Sequence, residues 1–119
     1  MTTSPIHPAW RWLPGLAALY NWAVALPVLL SGAGGPNDRV VAVLIAAFGL
    51  LYAMVARAPD RLLPALWVGV LGKLGVLWVM LPEVQAGRAL PGTGWVLLGD
   101  GLFTLGFIAL LLQQHRREG

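Results

Sequence analysis

VVAVLIAAFGLLYAMVA, residues 40–56, contains no charged side chain and no proline, and arginines close it on both sides, Arg39 and Arg57. A helix needs roughly 17 to 25 apolar residues to cross the hydrocarbon core of a bilayer. Lipid offers no hydrogen bonds to a peptide group, so a segment of this kind satisfies its own backbone as an α-helix. Working outward, three more runs qualify: Trp12 to Leu30, with Pro14 near its start; Leu62 to Leu81, bounded by Pro82; and Trp95 to Leu112, which leads into QQHRREG. The linkers SGAGGPND, RAPDR and PEVQAGRALPGTG are short, so consecutive helices should lie antiparallel and adjacent. The expectation is one domain over residues 1–119, an all-α membrane protein with four antiparallel transmembrane helices in a compact up-down bundle.

Composition points the same way. Of 119 residues, 58% are hydrophobic and only 11% charged, against about a quarter charged in a typical soluble domain. So few charges cannot cover a water-facing surface, and the expected partner is the lipid bilayer, with a homodimer or a larger membrane complex compatible with the size. The net charge of +3 comes from basic residues scattered at the ends of apolar runs rather than in a stripe, so no nucleic acid is expected as a partner. No cysteine is present, which excludes disulfides, thiolate metal sites and cysteine nucleophiles. His7 and His115 stand apart and form no metal set, and no cofactor is expected.

The arginines also suggest an orientation. Arg11, Arg57, Arg61, Arg116 and Arg117 fall on one side of the four crossings, and only Arg39 and Arg88 on the other. Positive residues favour the cytoplasm, so both termini are expected to be cytoplasmic. Trp10, Trp12 and Trp67 then lie towards the inner interface, Trp78 and Trp95 towards the outer one. Arg11, the apolar stretch after it and the small residues of SGA imitate a secretory signal peptide. The full span length, with Pro14, Asn21 and Pro27 inside it, favours a retained first span.

Polar residues within the spans are costly and usually face protein or a cavity, so each is a candidate for function. They are Tyr20, Asn21, Tyr52, Lys73, Asp100 and Thr104. At about 1.5 Å per residue, Asn21, Lys73 and Thr104 lie roughly 12 to 13 Å from the outer ends of their spans, and Asp100 roughly 8 Å. An unpaired charge at such depth costs about 2.5 to 3.5 kcal/mol on insertion scales. Asp100 is therefore the expected partner of Lys73, as a charged pair or as a neutral one after proton transfer. Asn21 and Thr104 are expected to complete the cluster by filling its remaining hydrogen-bonding capacity. Gly69, Gly72 and Gly75 around Lys73, and Gly99 and Gly101 around Asp100, are read as packing positions where two helices approach closely. Asp38, Glu83 and Arg88 are expected in solvated outer loops.

Several specific chemistries are excluded. GVLGK, residues 69–73, lacks the length and the following hydroxyl residue of a phosphate-binding loop, and it lies within an apolar span. No histidine falls in a span and Ser31 has no base, so no catalytic residues are assigned. A lysine with an aspartate counter-ion is also found in retinal proteins, but four short helices are too few to enclose that chromophore.

Asn21 in the first span, Gly49 with Tyr52 late in the second, Pro59 with Arg61 in the turn, Gly69, Gly72 and Lys73 in the third, and Asp100 with Phe103 in the fourth form a pattern. In it the chain resembles a group of small bacterial four-helix membrane proteins of unassigned activity. The resemblance covers most of the chain and implies a fold and a bacterial origin. By size the chain is also similar to the small multidrug transporters, but their first helix carries a glutamate where this one offers only Asn21. The favoured expectation is a non-enzymatic binding, transport or accessory subunit. The alternatives are a membrane enzyme using Asp100 as acid or base on a lipid or isoprenoid-like substrate, or a proton-coupled transporter.

Overall fold

The structure is a computed structural model in which residues 8–32 and 34–118 are described, with side chains described for 10–32 and 34–113. These residues are helical almost throughout, and no strand occurs among them. The order is α1 (Trp12–Ser31), α2 (Pro36–Arg57), a single turn α3 (Pro59–Leu62), α4 (Leu66–Gln85) and α5 (Thr93–Glu118). A 3-10 turn, Pro8–Arg11, precedes α1, and a second, Leu63–Ala65, joins α3 to α4. Four segments are long and apolar enough to cross a membrane: Trp12–Ser31, Pro36–Arg57, Pro59–Gln85 and Thr93–Gln113. The chain is all-α and a multi-pass membrane protein.

Two helical hairpins make up the chain, one within Pro5–Leu63 and the other from Pro64 onward. In the first, α1 lies along α2. The buried positions of α1 are Pro14, Ala17, Ala18, Asn21 and Ala25, and those of α2 include Ala42, Gly49, Tyr52 and Val55. Their spacing of three and four residues runs along one face of each helix. Small side chains on such a face let two backbones approach in lipid, where van der Waals contact replaces the hydrophobic effect as the driving force. Gly15 lies beside Ala56, with a β-carbon at Gly15 coming 3.9 Å from that of Ala56, so the start of α1 meets the end of α2.

The second hairpin sets α4 against α5. Leu66, Gly69, Val70 and Lys73 are the buried positions of α4. On α5, Leu97, Asp100, Thr104, Phe107 and Leu111 are buried and again follow a three-four rhythm. The remaining apolar side chains of both hairpins are largely exposed, Trp12, Trp78 and Trp95 among them. Such an outward apolar surface suits lipid as solvent.

Helix α5, Thr93–Glu118, extends past both ends of its apolar run, and at three other places local chemistry explains how helix ends differ from the expectation. The first is α2, which begins four residues earlier than the apolar run, at Pro36. Proline needs no hydrogen-bond acceptor in the first turn, and the Asp38 carboxylate accepts the Gly35 N–H at 3.0 Å. Asp38 is therefore a helix-capping residue rather than a loop residue. Gly34 just before it has φ +81°, and a β-carbon there would come 2.7 Å from the Asp38 carboxylate, so glycine fits this turn.

The second difference is α4, which continues through Pro82 to Gln85. A proline removes one hydrogen bond to the preceding turn, a loss tolerated near a helix end and in membrane helices generally. Glu83 consequently sits in the last turn of α4, where its carboxylate accepts the Arg88 Nε–H at 2.6 Å. The two form an exposed ion pair, with Arg88 in the outer loop as expected and Glu83 on the helix. The third is RAPDR, which contains a helical turn of its own: the chain breaks only at Ala58, whose φ of −137° leaves the helix, and Pro59 restarts it.

Candidate functional site: a lysine–aspartate pair between two apolar helices

Lys73 Nζ donates to Asp100 Oδ1 at 2.7 Å. The distance is that of a strong charge-assisted hydrogen bond. Both residues are buried, with Lys73 6% and Asp100 9% exposed. Lys73 stands one turn after Gly69 on the same face of α4, and Gly69 is buried. The ammonium also lies 5.8 Å from the centroid of the Phe103 ring. At that separation the negative face of an aromatic ring attracts a cation. Phe103 follows Asp100 by three residues, so one face of α5 supplies both the carboxylate and the ring. Phe103 in turn meets Phe107, with ring centroids 6.2 Å apart.

Thr104 is buried beside this pair, but its hydroxyl donates to the main-chain carbonyl of Asp100 at 2.7 Å. The expectation that Thr104 fills spare capacity on the charged groups is corrected accordingly. A threonine four residues after a helix carbonyl satisfies itself within its own helix. Among the described residues, every buried side-chain nitrogen and oxygen has a partner.

Asn21 belongs to the first hairpin. Its Nδ2 donates to the Ile45 carbonyl at 3.1 Å, and the neighbouring Trp22 Nε1 donates to the Ala46 carbonyl at 3.2 Å. Two successive residues of α1 thus hold two successive carbonyls of α2. The indole reaches α2 because Gly49 carries no side chain: a β-carbon there would come 2.6 Å from Trp22 Nε1 and 2.8 Å from Cδ1. Tyr52, one turn further along α2, is fully buried and packs against Phe48 with ring centroids 6.3 Å apart. Tyr20 is half-buried on α1.

Of the glycines expected at the α4–α5 contact, Gly69 is buried and Gly72 and Gly99 are half-buried. Gly75 and Gly101 are corrected: among the described residues a β-carbon at either would meet nothing within 4 Å. The helical turn explains this for Gly75. At about 100° per residue, Gly75 lies some 200° around the helix from Lys73, on the face turned away from it. Gly101 is half-buried like Gly72 and Gly99, but among the described residues no neighbouring side chain fills the space beside it.

Two contributors escaped the sequence reading. Trp22 looks from sequence like one more lipid-facing aromatic, and only its position next to Asn21 and the glycine in α2 could have hinted otherwise. Phe103 was visible as part of DxxF, but not as a partner of the ammonium. No protein-family model, curated protein or solved structure matches this chain.

Proposed function

We propose that this protein is a small non-enzymatic membrane subunit in which the Lys73–Asp100 pair fixes how α4 sits along α5. The observation that carries this reading is the direct 2.7 Å contact between two buried charged groups. The Asp100 carboxylate accepts from a tethered ammonium that also lies 5.8 Å from the Phe103 ring centroid, which supports a structural pairing. Buried ion pairs add little net stability compared with apolar residues, but they penalise a wrong register heavily, because a shifted helix leaves two charges unpaired. In lipid that penalty is the cost of a stranded ion.

The same reading puts both termini in the cytoplasm, on the distribution of arginines given above, and the protein in a bacterial inner membrane, on its resemblance to the small bacterial four-helix group. Similarity to the small bacterial four-helix group is part of the proposal. The outward apolar surface suits association with lipid and with another membrane chain.

Proton movement in vesicles separates this role from a relay. Protein reconstituted with a trapped pH-sensitive dye should dissipate an imposed pH gradient no faster than empty vesicles, and Lys73→Met/Asp100→Leu should behave like the native chain. A proton flux carried by the native protein and lost in that double variant would replace the register role with a relay.

A further inference from the structure

We propose that one end of the α1–α2 hairpin is a docking surface for acidic phospholipid headgroups, formed by Arg11, Arg57 and Arg61 with Trp12 beside them. The contact of Gly15 with Ala56 brings the start of α1 against the end of α2. Arg11 lies one turn before Gly15, Arg57 follows Ala56 directly, and Arg61 lies on the next turn, α3. The 3-10 turn that ends in Arg11 also packs on α2. Three guanidinium groups therefore share one end of a single hairpin with one carboxylate, Asp60 beside Arg61; all four residues are exposed, and three positive charges less one negative leave that end net cationic. Among the described residues none of the three enters an ion pair.

The opposite end of the same hairpin is built differently. Its only cation, Arg39, adjoins Asp38, so the charges there cancel. A hairpin neutral at one end and cationic at the other meets two membrane faces with different attraction for anionic lipid. Trp12 is 72% exposed next to Arg11. Indole prefers the headgroup level, which puts the guanidinium groups at the depth of lipid phosphates. Arginine also pairs with phosphate through two parallel N–H donors, a geometry lysine lacks. The partner is thus a phosphate-bearing lipid surface.

Spin-labelled lipids test this directly. The protein is reconstituted in phosphatidylcholine vesicles, and the association of labelled phosphatidylglycerol with it is compared with that of labelled phosphatidylcholine. The native protein should favour phosphatidylglycerol at least about fivefold at low salt, the ratio that corresponds to the contribution of a single juxtamembrane basic residue. High salt should erase most of that preference, since it screens exposed charges. Arg11→Gln/Arg57→Gln/Arg61→Gln should bring the ratio close to one, whereas Arg39→Gln/Arg88→Gln should leave it unchanged. Should the triple variant not fold, Arg57→Gln and Arg61→Gln singly should each lower the ratio part of the way. Absence of preference in the native protein, its persistence at high salt, or an equal loss in the Arg39/Arg88 variant would overturn the proposal. So would its loss on adding inorganic phosphate at constant ionic strength, which would indicate a discrete phosphate site instead of a lipid surface.

Discussion

The two hairpins hold their helices together by different chemistry. Between α1 and α2, neutral donors on Asn21 and Trp22 reach main-chain carbonyls of Ile45 and Ala46. Between α4 and α5, a charged side chain meets a charged side chain, Lys73 with Asp100. A helix carbonyl already accepts one hydrogen bond within its own helix and retains a second lone pair, so losing an outside donor leaves nothing stranded. The ion pair differs because both sides carry a full charge. Either group, deprived of the other, keeps that charge in an apolar setting without its counter-ion. The first hairpin is therefore expected to be forgiving of substitution at its polar contacts and the second unforgiving.

Substitutions sharpen or break that contrast. The largest effect belongs to the ion pair: Lys73→Met or Asp100→Leu alone should destabilise the protein by about 3 to 5 kcal/mol, the usual cost of breaking a buried pair from one side. Unfolding in mixed detergent micelles reads this. Next comes Gly49→Ala, which drives a methyl group into the Trp22 indole and should cost about 1 to 3 kcal/mol through overpacking. Its control is Gly75→Ala, where nothing lies within 4 Å. That change should be neutral or stabilise by up to about 1 kcal/mol, since alanine is the better helix former.

Asn21→Leu should cost about 0.6 kcal/mol, the average for a side-chain hydrogen bond between membrane helices, and less than about 1.7. A loss as large as that from breaking the ion pair would erase the distinction between the hairpins. Smallest is Thr104→Val, under about 0.6 kcal/mol, because the hydroxyl it removes serves only its own helix. The same melting series checks both.

This difference in chemistry also decides what could be read from sequence. The four spans stand out because uncharged runs of that length leave a backbone little choice in lipid. Lys73 pointed to Asp100 for the same reason that the pair is fragile: a charge in an apolar helix requires an opposite one, and both residues can be named. The bonds of the first hairpin were hidden because their acceptors are main-chain carbonyls, present at every position and marked by no residue type. Gly49 could be seen in the pattern, but nothing in it says that an indole uses the gap. Helix ends are less legible at the prolines, because Pro82 continues α4 where a stop is expected, and Pro36 and Pro59 begin helices where loops are expected. Near a terminus, proline begins or tolerates a turn as readily as it ends one.

The thermodynamic coupling between Lys73 and Asp100 tests the central claim most directly. Stabilities of the native protein, Lys73→Met, Asp100→Leu and the double variant form a closed cycle. Direct pairing predicts that the double variant is more stable than either single variant and close to the native chain, giving a coupling of about 3 kcal/mol or more. Additive losses, with the double variant the least stable of the four, would contradict the pair as the element that sets α4 against α5.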